Sequence, residues 1–207
     1  VDPTKMTKIR LRLSDRPPNN FQEERGIHDE AVNFHYSSEM MADASDGVKA
    51  FTGILLELIA GDPQAFLIDE PEAFLHPALS YKLGREIAAH AAPNSKNVFV
   101  ATHSSHFVMG CIQSGMPVNI VRLTYRDSVA TARQLEHDEL IEMLRNPLLR
   151  SANVLSGLFY ESVVVTEGDS DRAFYHEINE RLISEGDERG IPHCLFLNAQ
   201  NKQTVDQ

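Results

Sequence analysis

The sequence predicts an α/β protein built on parallel sheet, and three observations carry that reading. Two apolar runs, residues 65–68 and 162–166, each end in carboxylates: Asp69-Glu70 after the first, and Glu167, Asp169 and Asp171 after the second. Continuous apolar runs of this length read as strands covered on both faces, as parallel sheets require. Between them apolar residues recur at helical spacing, so strand, helix and strand alternate in the order of a right-handed crossover unit. Open sheets of this kind place ligands at the carboxyl ends of their strands, where both sets of acids fall.

Taken in order, residues 1–40 are irregular, broken by Pro17-Pro18-Asn19-Asn20, and residues 31–36 have the composition of a strand. Lys5, Lys8, Arg10 and Arg12 alternate with Ile9, Leu11 and Leu13, the pattern of an edge strand with a wet basic face, and no function is assigned to it. From Ser45 onward, Val48, Phe51, Ile54, Leu55, Leu58 and Ile59 mark an amphipathic helix that Gly61-Asp62-Pro63 closes. After the strand at 65–68, His76-Pro77 opens a second helix with Leu79, Leu83 and Ile87 on one face; proline suits the first helical position, whose N–H has no helical partner anyway. Strands are expected at 97–101 and 117–125, and a short helix at 136–145 before Asn146-Pro147. Residues 151–160 form the expected junction, after which a strand at 162–166, a helix over 170–184 and a strand at 193–197 repeat the unit.

With 207 residues, 42% of them hydrophobic, the chain can hold one full domain, or one large piece plus the start of another. Cys111 and Cys194 stand far apart with no Cys/His cluster near either, which argues against a disulfide framework or a zinc site and fits the reducing cytoplasm. No apolar stretch approaches the roughly twenty residues of a membrane span, and Val1-Asp2-Pro3-Thr4-Lys5 does not resemble a signal peptide, so a soluble cytoplasmic protein is expected. Net charge is −11, and residues 151–207 carry ten acids against four bases. Such a surface repels a phosphate backbone unless metal ions or a local basic patch intervene, so charge alone does not predict DNA affinity.

At the tip of the first strand, one carboxylate can hold Mg²⁺ through water while its neighbour positions or deprotonates an attacking water. Asp-Glu-Pro is also good turn chemistry in its own right. Asp-Glu-Pro-Glu-Ala-Phe-Leu-His-Pro at 69–77 and Ala-Thr-His-Ser-Ser-His-Phe at 101–107 together resemble the Walker B, D-loop and switch-histidine segments of ABC-type ATPases, closest to the SMC-like branch that works on DNA. The resemblance implies Asp69 as the Mg²⁺ support, Glu70 as general base and His103 as sensor of the γ-phosphate of ATP. Residues 72–77, with Glu72 and His76, would form the loop that addresses the opposite subunit; His106 is left structural. It further implies that Ser45-Asp46-Gly47 is the Ser-x-Gly signature, where Ser45, Gly47 and the amino end of a helix meet a γ-phosphate across a dimer. A plain helix cap explains Ser45 nearly as well. No Gly-x-x-x-x-Gly-Lys-Ser/Thr occurs in the 207 residues, so the chain is expected to be a fragment that does not bind ATP normally by itself.

The second run, Val163-Val164-Val165-Thr166-Glu167-Gly168-Asp169-Ser170-Asp171, looks like the opening of a TOPRIM domain. Glu167 at a strand tip and Asp171 in the following turn can converge on a divalent ion that polarises a phosphodiester, although acids at a helix amino end are also stabilising for electrostatic reasons alone. An ABC-type ATPase followed by TOPRIM resembles the OLD family of ATP-powered nucleases, over about residues 45–207. The resemblance implies residues 1–158 as the carboxyl part of the ATPase domain and residues 159–207 as an incomplete nuclease domain. The family's later Asp-x-Asp pair and lysine are not found here; Asp206 and an isolated Lys202 are what follow Asp187-Glu188.

The expectation is therefore part of an ATP-hydrolysing, Mg²⁺-dependent DNA endonuclease, working as a homodimer or higher homo-oligomer in antiphage defence or DNA processing, with a defence-system protein as partner. Taken alone, the 207 residues are expected to be inactive. One rival is a regulatory ATPase whose TOPRIM-like segment is a non-catalytic platform for a partner, favoured by Asp171 where the family usually has glutamate. The other is an SMC-like DNA-repair ATPase, against which residues 1–44 show no heptads.

Overall fold

A computed structural model describes residues 1–5, 8–91, 96–145 and 154–199. Two compact units emerge, one of Val1–Gly61 with Ala73–Leu75, the other of Asp62–Glu72 with His76 onward.

In the first unit, β1 (Arg12–Leu13) pairs antiparallel with β2 (Glu39–Met40). Arg12 is not on a wet face as its alternation suggested: its side chain is 8% exposed, its Nε donates to Asp2 at 2.5 Å and its Nη1 to the Ser38 carbonyl at 3.0 Å. Helix α1 (Phe21–Arg25) starts where Asn20 accepts the Glu23 N–H at 2.7 Å. The strand expected at 31–36 is instead part of helix α2 (Asp29–Tyr36). Asp29 and Glu30 favour the positive end of its dipole, and Ala31, Phe34 and His35 bury at helical spacing, so packing overrides the β-rich composition. Helix α3 (Asp46–Ala60) follows as expected, with Leu58 as its one buried residue among those described.

In the second unit, β3 (Ala65–Asp69) and β4 (Asn97–Ala101) pair parallel, Ala65 opposite Asn97 and Asp69 opposite Ala101. Helix α4 (Pro77–Ala91) makes the crossover between them. Coverage is one-sided rather than two-sided: Phe66, Ile68, Val98 and Val100 are half-buried, while Leu67 and Phe99 on the other face are 84% and 62% exposed. Among the described residues the two-stranded sheet carries its crossover helix on one side and leaves the other uncovered. The buried stripe of α4 is Ser80, Leu83, Gly84 and Ile87, one position round from the Leu79 edge that periodicity suggested. That rotation follows from close packing on α5 (Ser105–Gln113): a Cβ on Gly84 would lie 2.3 Å from the Phe107 carbonyl oxygen, and one on Gly110 2.0 Å from that of Tyr81.

The strand expected at 117–125 is β5 (Ile120–Arg126), and it turns directly into an unanticipated β6 (Val129–Leu135). Asp127 and Ser128 both have positive φ (51° and 64°), the two-residue turn whose twist suits a hairpin. Val108 and Ile112 of α5 form a buried cluster with Leu140 of α6 (His137–Arg145) and Leu155 of a 3₁₀ turn, Val154–Phe159. The carboxyl half of the expected junction is thus packed, while 146–153 lie outside the described residues. Finally β7 (Ser162–Thr166), α7 (Asp169–Ser184) and β8 (Cys194–Asn198) form a second parallel crossover, with Ser162 opposite Cys194. Lys202 and Asp206 lie outside the described residues.

Candidate functional site

The parallel register brings the ends of β3 and β4 side by side, and two of the expected residues meet there. Glu70 follows the last residue of β3 and donates its backbone N–H to the Ala101 carbonyl at 2.9 Å, which extends the ladder by one bond. Its φ is +43°, a left-handed conformation that costs a non-glycine residue roughly 1–2 kcal/mol. The resulting turn presents the carboxylate to His103, whose Nδ1 donates to Glu70 Oε1 at 3.1 Å. A carboxylate only accepts, so Nδ1 is the donor in this pair. Both side chains are open to a ligand, 52% exposed for Glu70 and 68% for His103. Asp69 is exposed at the same tip.

Glu72 behaves differently from its acidic neighbours. It is 7% exposed; Oε1 accepts a short hydrogen bond from Thr102 Oγ, and Oε2 is buried without a partner among the described residues. Thr102 Oγ in turn accepts the Ser104 N–H at 3.0 Å, and Ser104 caps α5 by accepting the Phe107 N–H at 3.2 Å. Ser80 of α4 meets Ser104 Oγ at 3.1 Å. Sequence reading passed over Thr102, Ser104 and Ser80; the signal for the first two was their place beside His103 in Ala-Thr-His-Ser-Ser, and Ser80, on α4, gave none. His76 accepts the Ala78 N–H at Nδ1 (3.3 Å), at the amino end of α4, and is itself exposed.

Ser45 caps α3 by accepting the Val48 N–H at 3.4 Å. Gly47, one residue inside that helix, lies against the loop at 73–75: a Cβ there would stand 2.5 Å from the Phe74 carbonyl oxygen. Asp46 pairs with Lys49 at 3.6 Å, which partly offsets the negative charge beside the helix end.

At the second strand tip, Thr166 is buried and its hydroxyl donates to the Leu197 carbonyl of β8 at 3.0 Å. Glu167, Asp169 and Asp171 are all exposed, and Asp169 pairs with Arg172 at 3.3 Å. Among the described residues no three His, Cys, Asp or Glu side chains gather closely enough to form a metal site. The β3 tip nonetheless fits Mg²⁺, which binds through one or two carboxylates, water and substrate phosphates, because Asp69 offers a hard oxygen ligand in the open. No helix among the described residues is long and apolar enough to cross a membrane.

Residues 3–109 match the family model described as "AAA domain, putative AbiEii toxin, Type IV TA system". No curated protein matches the chain. A solved chain from work on "Structural biochemistry of ATP-driven dimerization and DNA stimulated activation of SMC ATPases" is 18% identical, with a TM-score of 0.39 over 52% of this chain and 64% of that one. This chain spans less than two thirds of that relative's length.

Proposed function

This chain belongs to the AAA-domain family of the AbiEii-toxin type, and we propose that the whole protein hydrolyses ATP at the β3–β4 tip, which lies within the matched residues 3–109, and cleaves DNA at the β7 tip, which lies outside them. The Glu70–His103 hydrogen bond, 3.1 Å long across the ends of adjacent parallel strands, carries the first half of the reading. Glu70 takes a proton from the attacking water, and His103 orients that carboxylate through Nδ1 while Nε2 faces the γ-phosphate. Asp69 would hold Mg²⁺ through water, and the ion would neutralise charge developing on the phosphates. Ser45 and Gly47 would meet ATP held by a second copy, and the loop at 72–77, through His76 rather than the buried Glu72, would address that second copy, so the working form is a homodimer or a larger homo-oligomer.

In this reading residues 1–158 belong to the ATPase and residues 159–207 begin a TOPRIM-type nuclease, the order of the OLD family. Glu167 is the residue that would polarise a phosphodiester through a divalent ion, with Asp171 as second ligand; their exposure at the end of a parallel strand supports it. The family description names a toxin and its type IV TA system, which is the support for a partner protein from the same system; the cytoplasm and antiphage defence complete the proposal.

The test uses the full-length protein with ATP and Mg²⁺. Glu70→Gln is expected to lower ATP turnover by about 10²- to 10⁴-fold, the range for a lost general base. Glu167→Ala is expected to abolish metal-dependent nicking while ATP turnover persists. Equal nicking by both proteins removes the nuclease and leaves a regulatory ATPase with a partner-binding platform.

A further inference from the structure

We infer that Glu72 is a positioning residue for the Glu70–His103 pair, its buried carboxylate holding Thr102 and, through Thr102, the turn that carries His103. The inference rests on the reading of Glu70 and His103 as the ATP-hydrolysing pair.

Two links join the segment after β3 to the segment after β4. The outer one, Glu70 to His103, is open to solvent on both sides, and an exposed pair of that kind holds geometry weakly. The inner one, Thr102 to Glu72, is buried and continues through the Ser104 N–H into the cap of α5. A hydrogen bond in that low-dielectric setting resists competition from water and orients its partners more strongly. His103 is the residue between Thr102 and Ser104, so its backbone is held on both sides by this chain of bonds.

Packing does not explain a carboxylate at position 72. One oxygen has no partner among the described residues, and a buried acid with an unpaired oxygen is costly. A methionine of about the same length would fill the space without that cost. What the carboxylate adds is a strong acceptor aimed at Thr102, at the moment the chain leaves the site. Glu72 therefore acts through Thr102 rather than on the nucleotide itself.

The experiment measures steady-state ATP turnover and thermal unfolding of the full-length protein in six variants. Thr102→Val and Glu72→Ala are expected to lower kcat about tenfold to a hundredfold while KM for ATP stays within about twofold, the size of effect seen when a supporting contact is lost. Thr102→Ser and Glu72→Gln, which keep the donor or the acceptor, are expected to return kcat to within about threefold of the parent. Should a deletion variant lose its cooperative melt, Glu72→Asp decides: one methylene too short to reach Thr102, it must lose kcat while still unfolding cooperatively. Unchanged kcat in Thr102→Val or in Glu72→Asp, with Glu70→Gln inactive, overturns the inference and leaves the ATPase reading intact. ATP turnover that survives Glu70→Gln overturns that reading and the inference together.

Discussion

His103 and Glu70, thirty-three residues apart in sequence, share a hydrogen bond of 3.1 Å because β3 and β4 end in register and Glu70 adopts a left-handed turn at that end. The turn carries a measurable cost. Glycine enters the left-handed region freely and alanine does not, so Glu70→Gly is expected to be more stable than Glu70→Ala by about 1 kcal/mol in urea denaturation. Equal stabilities would mean the turn relaxes in solution. The hydrogen bond itself is exposed and contributes little, so His103→Ala is expected to change stability by less than about 1 kcal/mol while ATP turnover falls.

Glycine positions on α3, α4 and α5 separate by what surrounds them. A methyl at Gly110 meets the Tyr81 carbonyl at 2.0 Å, so Gly110→Ala must push α4 and α5 apart and is expected to cost about 1–3 kcal/mol. Gly53, inside α3, has nothing within 4 Å of its would-be Cβ. Gly53→Ala is expected to stabilise by about 0.5–1 kcal/mol through lower backbone entropy in the unfolded chain. Chemical denaturation curves that shift in the same direction for both would contradict the close helix packing.

Asp2 predicts an acid-sensitive contribution to stability. Burial pushes its carboxyl up, but hydrogen bonds from the Thr4 hydroxyl and N–H and the contact with Arg12 outweigh it, and the net pKa falls from 3.8 to about 2. A group with a depressed folded pKa stabilises above its unfolded value, so this contribution is complete above pH 3.8 and is lost as pH falls toward 2. Its size is about 2 kcal/mol, from the linkage between pKa shift and free energy. Asp2→Asn should flatten the stability profile across that window, and a parallel offset at every pH would show that the carboxylate does not titrate as described.

Cys111 is expected to resist alkylation. Burial pushes its thiol up to about 12, with the Glu72 charge adding to the effect, so almost no thiolate exists near neutrality. Mass spectrometry after iodoacetamide treatment at pH 8 should find Cys111 unmodified in the native protein and modified after denaturation. Native labelling at the rate of a free thiol would place the cysteine in the open.

The apolar runs before Asp69 and Glu167 identified both parallel crossovers, and the 3.6-residue spacing from Val48 to Ile59 identified α3, because periodicity and run length are properties of the chain itself. Local composition misled where burial decided otherwise. Residues 31–36 look like a strand but fold as α2, since Ala31, Phe34 and His35 can share one buried face only in a helix. The second arm of the hairpin escaped notice because Val129–Leu135 is weakly apolar and its turn, Asp127-Ser128, lacks the glycine that usually marks one. Arg12 was read as solvated until Asp2, ten residues away, came to cover it.

Chemistry-bearing residue types at the strand ends were legible in one dimension; their mutual geometry was not. Asp69, Glu70 and Glu72 lie within four consecutive positions, yet Asp69 and Glu70 face solvent while Glu72 is turned inward onto Thr102. That difference depends on which carbonyls and hydroxyls the neighbouring strand brings within reach, a matter of strand register and helix packing rather than of spacing along the chain. Sequence alone determined that carboxylates would stand at two parallel-strand tips. Only the tertiary structure decided which of them stand exposed and which is turned inward, because burial and hydrogen-bond partners are set by segments distant in the chain.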